Sequence, residues 1–142
     1  MKPVLQTLFG GPDGPIDQIG NCFAACLATL LDLDLVDVPH FVQIHRDDNE
    51  RNAAMLKWLT ARGFSLICYE YAPWVHQYFG VGAQVILGGK SPRGDWNHAV
   101  VGEIRAEGWR LLHDPHPSRD GLDGEPTHVD LLIPLLLARA AA

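Results

Sequence analysis

The chain has 142 residues, of which 47% are hydrophobic and 20% charged, and a formal net charge of −6 at pH 7. This length predicts a single domain, 1–142, large enough to bury a core without metal or disulfide support. The acidic balance excludes nucleic acid as the main partner, because phosphate binding needs a basic face, and leaves a peptide or protein substrate open.

Residues 1–20 read as an extended arm. Gly10-Gly11-Pro12-Asp13-Gly14-Pro15 is turn chemistry that no helix absorbs. Lys2 is the only early positive charge and no long apolar run follows it, so no secretory signal is expected. Three cysteines without a C-x-x-C pair fit neither a disulfide framework nor structural zinc, and suit a reducing, cytoplasmic setting.

The segment Gln18-Ile19-Gly20-Asn21-Cys22-Phe23-Ala24-Ala25-Cys26-Leu27-Ala28-Thr29-Leu30-Leu31 organises the rest. Gly20 permits a sharp turn, and Asn21 suits the N-cap of a helix over 22–33. Cys22 then falls in the first turn, where free N–H groups and the helix dipole favour a thiolate nucleophile. Cys26, one turn further on, reads as a small core hydrophobe. The acidic stretch 34–39 lacks the glycine and closing glutamate of a calcium loop, and reads as a solvated turn.

A second helix is expected from an Asp47 or Asp48 cap to a stop at Gly63, with Ala54, Leu56, Trp58 and Leu59 as its apolar residues. Residues 64–69 read as a strand, with Cys68 in core or strand packing. Residues 72–80, with Trp74, His76 and Phe79, suit a short helix beside a groove. Strands follow at 83–87, ended by Gly88-Gly89, then at 97–104, 109–113 and about 129–133. A turn at 106–108 makes a hairpin of the middle pair. The apolar tail 131–138 is too short to span a bilayer and reads as a core element with a frayed end. Helices first and antiparallel strands later give an α+β fold, with the Cys22 helix packed on the sheet.

A cysteine nucleophile needs a base and a group that orients the base. His98 opens one strand of the hairpin and Asp114 follows the other, so antiparallel pairing brings the two together at its open end. Asp114-Pro115 also suits an Asx-turn. The oxyanion hole would combine the Cys22 N–H with a side-chain amide; Gln18 is the first choice and Gln6 the second. Two rival readings stand beside this one. His113, Asp114 and His116, completed by His98 or His128, could ligate a metal for a metal hydrolase. The chain could also be a non-catalytic binding or inhibitor module.

Asn21-Cys22-Phe23-Ala24-Ala25-Cys26-Leu27-Ala28, the strand opening at His98-Ala99-Val100-Val101, and Asp114-Pro115 together resemble papain-like cysteine peptidases. The bacteriocin-processing, double-glycine leader peptidases are the most similar group. Residues 113–118 are also similar to a segment of short uncharacterised bacterial and phage proteins. The resemblance implies a papain-like fold and a Cys22–His98–Asp114 triad that needs no cofactor. It also implies cleavage or transfer at a peptide or isopeptide bond. Phe23 departs from the family's glycine at that position, and no transporter follows.

Overall fold

The computed structural model describes residues 1–136. Helix α1 (Cys22–Leu31) takes up the Ala- and Leu-rich segment and buries Ala24, Ala25, Cys26, Leu27, Ala28 and Thr29. So many buried positions on ten residues make it a helix enclosed on most sides. It stops two residues short of the expected end, because Asp32 adopts a left-handed conformation, φ 54°, that closes the last turn.

A 3-10 turn at Leu35–Asp37 and a single turn, α2 (Phe41–Ile44), lead into α3 (Asp48–Thr60). Asp47 is the cap: its carboxylate accepts the Glu50 N–H at 2.9 Å. Leu59 is fully buried, with Ala54, Met55 and Trp58 packed against the same core. Leu56, counted among the helix's apolar residues, is 47% exposed, whereas Met55 packs against the core. Gly63, at φ +84°, ends this stretch as anticipated.

The strands are β1 (Phe64–Glu70), β2 (Gln84–Lys90), β3 (Asn97–Arg105), β4 (Gly108–His113) and β5 (His128–Pro134), with a short helix, α4 (His76–Phe79), between β1 and β2 in the chain. They form one sheet in the order β1-β5-β2-β3-β4, and every neighbouring pair is antiparallel. The architecture is therefore α+β, with β1 and β4 at the edges.

Gly88 and Gly89 do not end β2. Gly88 pairs with Ala99 on one side and His128 on the other, and a Cβ there would lie 2.0 Å from His128 Nε2. The glycine stands inside the sheet because a neighbouring side chain lies across it.

Alternation along the strands divides the core in two. Ile86, Ala99 and Val101 face α1 and pack with Ala24, Leu27, Ala28, Phe41 and Leu59. Val85, Leu87, Val100, Ile104 and Val129 form a second cluster with Val75. The segment around α4 covers that second cluster, so it does not border the groove. Burying a side chain such as Leu27 or Leu59 completely contributes about 1.5–3 kcal/mol, so α1 and α3 are fixed firmly against the sheet. In the tail, 131–134 belong to β5, Leu136 is fully exposed, and positions 137–142 lie outside the described residues. Among the described residues, no helix is long and apolar enough to cross a membrane.

Candidate active site

Cys22 is the first residue of α1. Asn21 positions it differently from the expected cap. Its side chain makes no capping bond; Oδ1 instead accepts the N–H groups of Thr7 and Leu8, each at 3.0 Å, and Nδ2 donates to Thr7 Oγ1 at 3.0 Å. The residue fastens the arm across the helix start. Gly20 likewise serves close approach more than turning: its N–H donates to the Gly10 carbonyl at 2.8 Å, and a Cβ would lie 3.1 Å from that oxygen.

His98 is the second residue of β3, and Asp114 follows β4 directly. The hairpin between them runs in register from Arg105–Gly108 to Gly102–Leu111, then shifts so that Val101 opposes His113. This irregularity bends the open end of the hairpin. His98 Nε2–H donates to Asp114 Oδ1 at 2.7 Å, with side-chain exposures of 3% and 0%. Asp114 Oδ1 also accepts the His116 N–H at 2.8 Å, and Oδ2 accepts the Gly121 N–H at 2.7 Å. The Asx-turn and the partnership with His98 therefore coexist on one carboxylate.

These bonds set the charges. Burial works against an ionised Asp114, but the donors from His98, His116 and Gly121 overcome it and hold the carboxyl below its ordinary range. Burial also opposes a protonated His98. Hydrogen bonds with Asp114 and Cys22 outweigh that penalty and raise the imidazole to about 9. With Nε2 committed to Asp114, Nδ1 is the ring nitrogen left for Cys22.

The structure places the two candidate amides differently. Gln18 is exposed on the 3-10 turn Ile16–Gln18, and its carbonyl accepts the Gly10 N–H at 2.7 Å. It does not line the cavity beside Cys22. Gln6 does. It is only 6% exposed, and its Nε2 donates to the Leu8 carbonyl at 2.7 Å, which fixes the amide's orientation because a carbonyl can only accept. Gln6 Oε1 is buried without a partner. Because the arm folds back on itself at Gly10 and Gln18, residue 6 reaches the helix start and residue 18 does not.

The rival metal cluster is not assembled. His113 Nε2–H donates to the Val4 carbonyl at 2.7 Å, and His116 packs edge-on against Phe9, ring centroids 5.2 Å apart. Among the described residues, no three His, Cys, Asp or Glu side chains converge as metal ligands. Cys26 is fully buried, and burial pushes its thiol well up. Cys68 is exposed, against the expected core or strand packing. Partial burial and a bond with Asp130 push it up to about 12.

Cys22 and His98 open into a cavity of about 630 Å³ whose walls include Phe23, Met55 and Trp96 and whose lining reaches Asp130 on β5. Sequence reasoning missed Asp130 and Trp96. The alternation in His128-Val129-Asp130 was a signal for the first, since it puts His128 and Asp130 on one face. Compared with known proteins, the chain matches no family model, no curated protein and no solved structure.

Proposed function

We propose that the chain is a thiol hydrolase or acyl transferase acting on an amide or isopeptide bond in a peptide or protein. The observation that carries this reading is the buried His98–Asp114 pair, 2.7 Å apart, beside a cysteine that begins a helix and faces a cavity. The order of nucleophile, base and acid along the chain, and a helix packed on an antiparallel sheet, agree with the papain-like resemblance.

In this mechanism Cys22 passes its proton to His98 Nδ1, and the sulfur attacks the carbonyl carbon. The oxyanion forms against the Cys22 N–H and the second N–H of Gln6 Nε2; such a donor is often worth about 2.7–4 kcal/mol. The imidazolium, steadied by an ionised Asp114, protonates the leaving amine. The C–N bond breaks and a thioester on Cys22 remains. Water or an acceptor amine, deprotonated by His98, then opens it, giving hydrolysis or transfer.

The test is turnover of fluorogenic peptide amides by the purified chain, together with the rate of Cys22 alkylation near neutral pH. Turnover abolished by Cys22→Ala and by His98→Ala, in variants that still fold, is the expected result. A Cys22 that alkylates no faster than a free thiol, with no turnover, would favour the binding-module reading.

A further inference from the structure

The cavity is also lined by a carboxylate that the mechanism above does not use. Asp130 lies in the middle of β5, opposite Cys68 of β1 and Ile86 of β2. It is 6% exposed and lines the same cavity as Cys22. Among the described residues no lysine, arginine or histidine forms an ion pair with it. Its one side-chain partner is the Cys68 thiol. Burial accordingly pushes the Asp130 carboxyl up, with Cys68 and His128 only partly offsetting it.

A buried carboxylate without a counter-charge is costly to ionise, and the cost falls sharply when a cation arrives to pair with it. The neighbourhood leaves space for one. His128, two residues away on the same face, has its ring over Gly88, where any larger residue would displace it. Phe23, Phe41, Met55 and Leu66 line the cavity as well, an apolar wall suited to the methylene stem of a long basic side chain. Of the arginines that line the cavity, Arg51 is already paired with Asp48 and Arg93 donates to Ser118 Oγ at 3.1 Å. The chain's net charge of −6 also favours the approach of a positive ligand.

We propose that Asp130 is the floor of a specificity subsite that takes a lysine or arginine side chain close to the bond presented to Cys22. This rests on the hydrolase or transferase reading, whose substrate class it names. The aliphatic stem packs along the apolar wall, and the ammonium or guanidinium meets the carboxylate.

The experiment is chosen so that binding is read without turnover. The Cys22→Ala chain is titrated calorimetrically, at about 0.15 M salt, with capped alanine heptapeptides carrying one central lysine, arginine or norleucine. The lysine and arginine peptides should bind at least about tenfold tighter than the norleucine peptide, and Asp130→Asn added to Cys22→Ala should bring the ratio close to one. Equal binding of all three peptides, tighter binding of norleucine, or no binding of any would overturn the subsite. So would a preference that survives Asp130→Asn, which would then belong to overall charge. Should Asp130→Asn fail to fold, Asp130→Ser takes its place and is read by the same ratio. Turnover of the lysine, arginine and norleucine peptides at equal kcat/KM by the wild-type chain would leave the catalytic reading standing while the subsite falls.

Discussion

His98 and Asp114 are joined by a 2.7 Å hydrogen bond across a hairpin whose register shifts between Val101 and Gly102. The bond has a consequence for stability that can be read against pH. His98 rises from 6.5 to about 9 on folding, so its contribution is fully present below pH 6.5 and is lost as pH climbs through about 9. Asp114 is lowered from 3.8, so its contribution is present above that value and disappears on further acidification. Urea midpoints measured at about pH 5.5, 7.5 and 9.5 should therefore decline at each step. His98→Ala should flatten that decline. A level wild-type profile across this range would contradict the charged pair.

The three thiols should separate cleanly under limited alkylation followed by mass spectrometry. Cys22, half-buried beside His98, is expected to label first near pH 7. Cys68 is exposed, but its thiol lies up at about 12, so it should label slowly and only at high pH. Cys26, with no exposed surface, should wait for unfolding. Cys68 labelling ahead of Cys22 would remove the basis for the nucleophile.

The two glutamines give opposite expectations. Gln6→Ala should lower kcat by roughly 10²–10³, the usual effect of losing an oxyanion donor, with a smaller change in KM. Gln18→Ala should leave both constants unchanged, because its side chain stands outside the cavity. Equal effects at the two positions would return the oxyanion hole to an open question.

Asp114→Asn probes the same carboxylate by hydrogen-bond supply. Three N–H donors converge on its two oxygens, whereas an amide offers one oxygen and turns an NH₂ toward the remaining donor. The variant should lose about 1–3 kcal/mol of unfolding free energy, the cost of stranding a buried polar group. It should keep a fraction of the wild-type turnover. Effects within a triad do not add, so joining it to Cys22→Ala should leave turnover where Cys22→Ala alone puts it.

Much of the sheet was legible because its strands obey local rules: β-rich runs, alternation, and a short turn at 106–108. The pairing of His98 with Asp114 followed from counting outward along that hairpin, although the bulge was invisible to counting. The choice between the two glutamines was not legible for a different reason. Nothing local to Gln6 or Gln18 reveals that Asn21 holds the arm by Thr7 and Leu8, and that tertiary contact decides which glutamine arrives. Gly88 misled similarly. A glycine pair reads as a strand end, yet here it makes room for a ring from β5. Leu56, counted among the apolar residues of its helix, and Cys68, read as core or strand packing, both sit where the fold leaves a surface.

The bond from His113 to the Val4 carbonyl spans 109 residues of sequence, and the Gln6 N–H reaches the Pro115 carbonyl alongside it. Contacts of that range close late, since the loop entropy must be met before they contribute. The order of events in time follows. Helix α1 and the β3–β4 hairpin can form from neighbours, but the arm has nowhere to dock until both are in place. Refolding should therefore yield a nearly complete sheet before Gln6 reaches the cavity, and recovered turnover should lag the recovery of far-UV dichroism. Trp96 packs against Gly11 of the arm, so its fluorescence should follow turnover and mark the moment at which the arm lands.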